Sequence, residues 1–158
     1  MAGVLGASAW LARRPALERL SSSLMRALAR ITIRARRLQR AATAAHLGEQ
    51  WQRSFPSAKQ VPIRRIDGDT VHAEIHTPCP LRGTGDVHAC WRMMEYDREV
   101  LRHAGGEFVV LRSQAEPGRT YCEVAMRMKG RGTADLVAAH QSRRDPKGSG
   151  QSIEETSK

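Results

Sequence analysis

The spacing of apolar residues changes period once along this chain, and that switch constrains the fold more than any other feature. From Leu17 they recur at Leu20, Leu24, Leu28, Ile31, Ala35, Leu38, Ala42 and Ala45, in steps of three and four that line one side of a helix. From Val61 the period becomes two. Val61-Pro62-Ile63-Arg64-Arg65-Ile66 and Thr70-Val71-His72-Ala73-Glu74-Ile75-His76 flank Asp67-Gly68-Asp69, and Asp-Gly between alternating segments signals a tight hairpin. In the second segment Val71, Ala73 and Ile75 face one side, and His72, Glu74 and His76 the other.

The helical pattern predicts an amphipathic helix over Pro15–Leu47, with Pro15 in its first turn and Gly48 as its stop. At 1.5 Å per residue it would run roughly 50 Å, so it either breaks near Thr32 or lies across the domain as a packing arm. Beyond the first hairpin, Thr77–Gly85 is a loop rich in Pro and Gly. Asp86 then caps a helix from Val87 to about His103, ended by Ala104-Gly105-Gly106. Cys90, Met93, Met94, Asp97 and Leu101 share one side of it. Glu107–Ala115 and Thr120–Lys129 form a second hairpin around Glu116-Pro117-Gly118-Arg119, with Val109, Leu111, Cys122, Val124 and Met126 pointing inward. In the polar remainder, Ala134–Arg143 is expected to form a short helix and the last dozen residues to be disordered. The fold class is α+β: an antiparallel sheet from two hairpins with a helix between them, preceded by a long N-terminal amphipathic helix. Three regions follow: a basic helical arm (1–48), an α+β core (49–130) and a polar tail (131–158).

Charge is unevenly spread. Residues 1–47 hold nine arginines and one acid, Glu18, a net +8, while 48–158 carry 17 Lys and Arg against 15 Asp and Glu, a net +2. Several roles suit such an arm. It can pack in the core or pair with a second copy or a partner protein, since near-heptad spacing fits a partner helix. It also has the composition of an organelle presequence or of a membrane-surface helix. Nucleic-acid binding is not expected, because interleaved aromatics and Gly-rich phosphate cradles are missing from the sequence. No apolar run is long enough to span a bilayer. With no export signal and an odd number of cysteines, the expected compartment is the cytoplasm, or an organelle matrix if residues 1–47 act as a presequence.

Chemistry concentrates in one stretch. All three cysteines fall between Cys79 and Cys122, together with two of the six histidines, and His76 lies just before them. Cys79 follows the second strand, Cys90 sits in the first turn of the next helix, and Cys122 opens the last strand, so neighbouring elements can bring the sulfurs to one end of the sheet. A helix N-terminus would lower the pKa of Cys90. Three readings stay open. The cysteines are buried packing residues. Or Cys79, Cys90 and Cys122, with His76 or His88, hold zinc or an iron–sulfur cluster. Or a thiolate attacks an electrophilic carbon while His76 or His88 moves protons, and Asp86, Glu95 or Asp97 orients the histidine or binds a cationic part of the substrate. Arg82 and Arg92 are candidates for gripping a substrate carboxylate.

Cys79-Pro80, Cys90, an acid in the same helix (Glu95 or Asp97), and Pro117-Gly118 shortly before Cys122 together resemble the L-2-amino-thiazoline-4-carboxylic acid hydrolase family, over roughly residues 45–130. That group is related in fold to the bacterial 4-vinyl reductase domain, a small-ligand-binding α+β unit. The resemblance implies a small-molecule pocket beside the three cysteines and hydrolysis of a non-peptide C–N bond that opens a thiazoline ring. The related vinyl-reductase-like domains instead sense or bind hydrophobic ligands, and some hold a structural zinc partly by cysteines. The alternative reading is therefore a non-enzymatic zinc- or iron–sulfur-binding accessory or sensor module, with Cys79, Cys90, Cys122 and His76 as the candidate ligands.

Overall fold

The computed structural model describes residues 12–141. The expected disorder of the last dozen residues lies outside that range. Helix α1 spans Glu18–Arg36, entered through a 3-10 turn at Pro15–Leu17. It does not continue to Leu47. Arg37 adopts a left-handed conformation (φ 51°), Arg37 N–H donates to Arg34 O, and Leu38 N–H donates to Ile33 O. These bonds close a Schellman-type end, with buried Leu38 as its hydrophobic plug. Helix α2 (Ala44–Gln52) starts afresh where the Thr43 side chain accepts from His46 N–H. The boundary expected at residue 48 therefore falls inside α2, and Ala29, Ile33, Leu38, Leu47 and Trp51 belong to the main core.

Gly48, expected as a helix stop, is a buried interior residue of α2. A Cβ there would lie 3.0 Å from both Ile63 Cδ1 and Val71 Cγ1. Glycine is what lets α2 lie close on the first hairpin.

Strands β1 (Ile63–Asp67) and β2 (Thr70–Ile75) form that hairpin, turning through Gly68 at φ 54°. Helices α3 (Val87–Met93) and α4 (Glu95–Ala104) replace the single helix expected over Val87–His103. The break at Met94 is stabilised by Arg98 Nη2, which donates to Trp91 O at 2.6 Å. Gly105, at φ 89°, ends α4. Strands β3 (Gly106–Arg112) and β4 (Cys122–Met128) complete a four-stranded antiparallel sheet in the order β1-β2-β4-β3. The class is α+β, with α2 and α4 on one face of the sheet and α1 packed across α4.

Alternation in β2 and β4 matches the sequence pattern, with Val71, Ala73, Ile75, Cys122, Val124 and Met126 buried. β3 is shifted by one: Phe108 and Val110 point inward, not Val109 and Leu111. Phe108 decides it, because its ring centroid lies 6.1 Å from fully buried Trp51, and one aromatic buries more area than either aliphatic.

The leucine side of α1 is also not the side that packs. Ser21, Met25, Ala29 and Ile33 face the core, whereas Leu20, Leu24 and Ile31 are exposed. Ion pairs complement this orientation: Arg26 bonds Glu95 (3.3 Å) and Arg30 bonds Glu99 (2.8 Å) across the α1–α4 seam. Burial opposes ionisation of Glu95, but the hydrogen bond from Arg98 and the charges of Arg98 and Arg102 outweigh it and hold its carboxyl below the usual range.

The short helix expected over Ala134–Arg143 is not present through Gln141, where the chain forms turns. Ala139 N–H donates to Val110 O at 2.9 Å. The segment thus runs along the outer edge of β3 and satisfies a carbonyl that an edge strand would leave open.

Candidate functional site

Cys122, the first residue of β4, pairs in register with Ile75, the last of β2. The chain then leaves β2 through a loop carrying Cys79 and enters α3, which holds Cys90. Asp86 caps α3 by accepting from Ala89 N–H at 2.8 Å. Leu81 pins the loop in a second small core with Val87, Ala89, Cys90, Met93 and Ala115. Gly83 N–H and Gly85 N–H donate to Gln114 O (2.9 Å) and Ala115 O (2.7 Å), stitching the loop to the β3–β4 turn.

The sulfurs do come together at this end of the sheet. Cys90 and Cys122 are buried and hydrogen-bonded to each other, and Cys79, half-buried, is close enough to interact electrostatically with both. The arrangement is polar and asymmetric. Cys122 accepts from the Cys90 thiol and from Gln114 N–H at 3.2 Å, and these two bonds outweigh burial and lower its pKa. Cys90 is the donor, so its own pKa rises well above the ordinary thiol value, with burial adding to the rise. The expectation of a helix-activated Cys90 is thus reversed: α3 is short, and the sulfur spends its proton on Cys122. Burial also pushes the Cys79 thiol up, against a weak bond from Leu81 N–H at 3.4 Å.

Gln114 organises the site. Its Nε2 donates to Ile75 O (3.1 Å) and Thr77 O (3.0 Å), and its Oε1 accepts from Arg82 Nε (3.0 Å) and Nη2 (2.8 Å). The Thr77 hydroxyl, two residues before Cys79, is buried without a hydrogen-bond partner. Beyond Cys122 lies Asp97, buried and accepting from Trp51 Nε1 at 2.8 Å. Burial raises its pKa to about 6, the Trp51 bond restraining the rise, and its charge acts on Cys122 to raise that thiol.

The other sequence candidates go elsewhere. His76 bonds Glu74 at 2.7 Å and stacks on Tyr121 with centroids 5.0 Å apart. His88 is exposed, its ring centroid 6.1 Å from that of His140. Two residues from Cys90 on a helix, it points away from that sulfur. Neither histidine joins the cysteines as base or ligand. Among the described residues no group of three or more His, Cys, Asp or Glu is arranged to hold a metal ion. The set Cys79, Cys90, Cys122 and His76 therefore does not assemble as a zinc or cluster site.

Arg82 is committed to Gln114 and to Thr120 O (2.9 Å), and Arg92 is buried with its Nε donating to Ala12 O. Both arginines hold backbone and side-chain oxygens of the fold, not an open carboxylate site. Two surface clefts, of about 300 and 470 Å³, are lined by other residues, and neither includes a cysteine.

Gln114 and Trp51 are the site residues that sequence reasoning missed. A glutamine in a turn and a tryptophan 46 positions from its partner carry no local signal of these roles. Glu95, like Asp97, is buried, but it belongs to the arginine network. No helix among the described residues is long and apolar enough to cross a membrane. Comparison with known proteins yields no match: no family model, no curated protein and no solved structure is similar to this chain.

Proposed function

We propose that this end of the sheet is a thiol site that hydrolyses a C–N bond of a small cyclic molecule, of the kind the thiazoline-carboxylate hydrolase resemblance implies. The observation that carries this reading is the pair of donors aimed at Cys122, the Cys90 thiol and Gln114 N–H. Two hydrogen bonds to one sulfur stabilise the thiolate, which is the nucleophilic form.

In this reading the Cys122 sulfur bonds to the ring carbon of a C=N unit. The π pair moves to nitrogen, which takes the proton from Cys90. The lone pair of the exocyclic nitrogen then forms a new C=N as the ring C–N bond breaks, its proton passing to the departing ring amine. Water adds across this new C=N, the C–S bond to Cys122 breaks, and the hydroxyl proton returns to Cys90, so the net change is addition of water and opening of the ring. No histidine is required, since Cys90 already shares its proton with Cys122. Substrate reaches the pair past half-buried Cys79 when the Thr77–Asp86 loop lifts. Gly83 and Gly85, both at positive φ, donate the two backbone bonds that hold it. The unpaired Thr77 hydroxyl is a donor for the ring substituent.

Turnover of L-2-amino-thiazoline-4-carboxylate and related cyclic amidines by serine variants tests the reading. Cys122→Ser abolishes activity, Cys90→Ser lowers it by about 100-fold or more, and Cys79→Ser keeps most of it, all with native circular dichroism. Equal activity in all three variants, or none in a folded native protein across such substrates, overturns it.

A further inference from the structure

The outward side of α1 is an apolar stripe bordered by arginine. Leu20 is 58% exposed, Leu24 38% and Ile31 64%, and Ala27 and Ala35 lie exposed on the same side. At 100° per residue these positions oppose the buried row Ser21, Met25, Ala29 and Ile33. Arg19, Arg30 and Arg34 run along one border of the stripe, and Arg36, Arg37 and Arg40 lie exposed at its C-terminal end. Such surface-exposed leucines spaced for a partner call for an occupant, because isolated apolar exposure is ordinary but a contiguous stripe is not.

Charge selects the occupant. Helix α1 carries five arginines and one acid, Glu18, which is also the only acid in the first 47 residues. A second copy docked on this face would set arginine against arginine, with only Glu18 on each helix to answer it, and Glu18 lies on the side of the buried row. An anionic lipid surface answers both halves of the pattern: acyl chains take the leucines, and phosphates take the guanidinium groups. The preceding segment, residues 1–11, is uncharged and supplies Val4, Leu5, Trp10 and Leu11, a composition that suits the lipid interface. No helix among the described residues is long and apolar enough to cross a membrane, and the stripe occupies one side of α1 only, as a surface contact requires.

We infer that α1 is a membrane-surface docking helix that seats the domain on anionic lipid through Leu20, Leu24 and Ile31, with Arg19 and Arg34 on the headgroups. Co-sedimentation of the full chain with phosphatidylcholine vesicles, with and without phosphatidylserine, reads this directly. Binding is expected only with phosphatidylserine, and it weakens as salt is raised. Arg19→Glu with Arg34→Glu weakens it by about 30-fold or more. Leu20→Ser, Leu24→Ser and Ile31→Ser together remove it, with the native fold retained by circular dichroism because none of the three belongs to the buried core. Absence of binding to phosphatidylserine vesicles, or undiminished binding by the triple variant, overturns the inference. So does a concentration-dependent dimer in sedimentation velocity that the triple variant abolishes, which would assign the stripe to a second copy.

Discussion

Asp97→Asn gains stability relative to the native protein by on the order of 3 kcal/mol as pH rises from about 4 to about 7. The carboxyl is buried, and burial lifts its pKa from 3.8 to about 6. The folded state therefore holds a proton through a window in which the unfolded chain has released it. The stability this contributes is fully present below the unfolded value and is lost as pH rises through about 6. Asparagine does not titrate, so the variant lacks that decline while keeping an oxygen for Trp51 Nε1. Denaturant unfolding of both proteins across this range reads the difference, and a constant gap between the two curves would contradict it. Trp51→Phe tests the partner. Removing the bond to Asp97 costs about 2–3 kcal/mol at neutral pH, where the acceptor is charged, and less near pH 4, where it is neutral.

Gly106→Ala is expected to cost about 2 kcal/mol, a large effect for one methyl group. A Cβ at this position would sit 2.5 and 2.7 Å from the Leu47 methyls and 3.0 Å from Arg127 O. Leu47 is fully buried under Trp51 and the sheet, and Arg127 O belongs to the strand paired with β3, so neither neighbour yields freely. The clash is shared with Leu47, and the two sites should couple. In a Leu47→Ala background, Gly106→Ala costs at least about 1 kcal/mol less than in the native protein. Thermal or denaturant melts of the four proteins in the cycle measure this coupling, and simple additivity would show that Leu47 does not cause the strain.

What the sequence made legible followed the range of the physics involved. The two hairpins, the Asp86 cap, the glycine that ends α4 and the inward rows of β2 and β4 are local features, set by turn residues and two-residue alternation. The convergence of three cysteines also followed from the order of the elements. Features set by distant partners were invisible. The row of leucines on α1 looked like its core side, yet α4 offers Glu95 and Glu99 to Arg26 and Arg30, and packing turned the small residues Ser21 and Ala29 inward. The β3 register followed Phe108 because Trp51 waits in α2 to receive it. His76 and His88 sit near cysteines in sequence, but strand and helix periodicity turns each of them from the sulfurs. The residue that organises the site, Gln114, carries no pattern at all. Its role exists only once the β2 exit, the β3–β4 turn and Arg82 are brought together.

In the proposed site Cys122 acts as the nucleophile and Cys90 as its proton donor. Alkylation with iodoacetamide across pH, read by peptide mass mapping on the native three-cysteine chain, follows each sulfur without altering its neighbours. The midpoint for Cys122 should fall below the ordinary thiol range, with that of Cys79 above it and Cys90 the last to react. A Cys122 midpoint at or above the ordinary value, or a Cys90 that titrates first, would contradict the assignment and leave the three cysteines as packing residues.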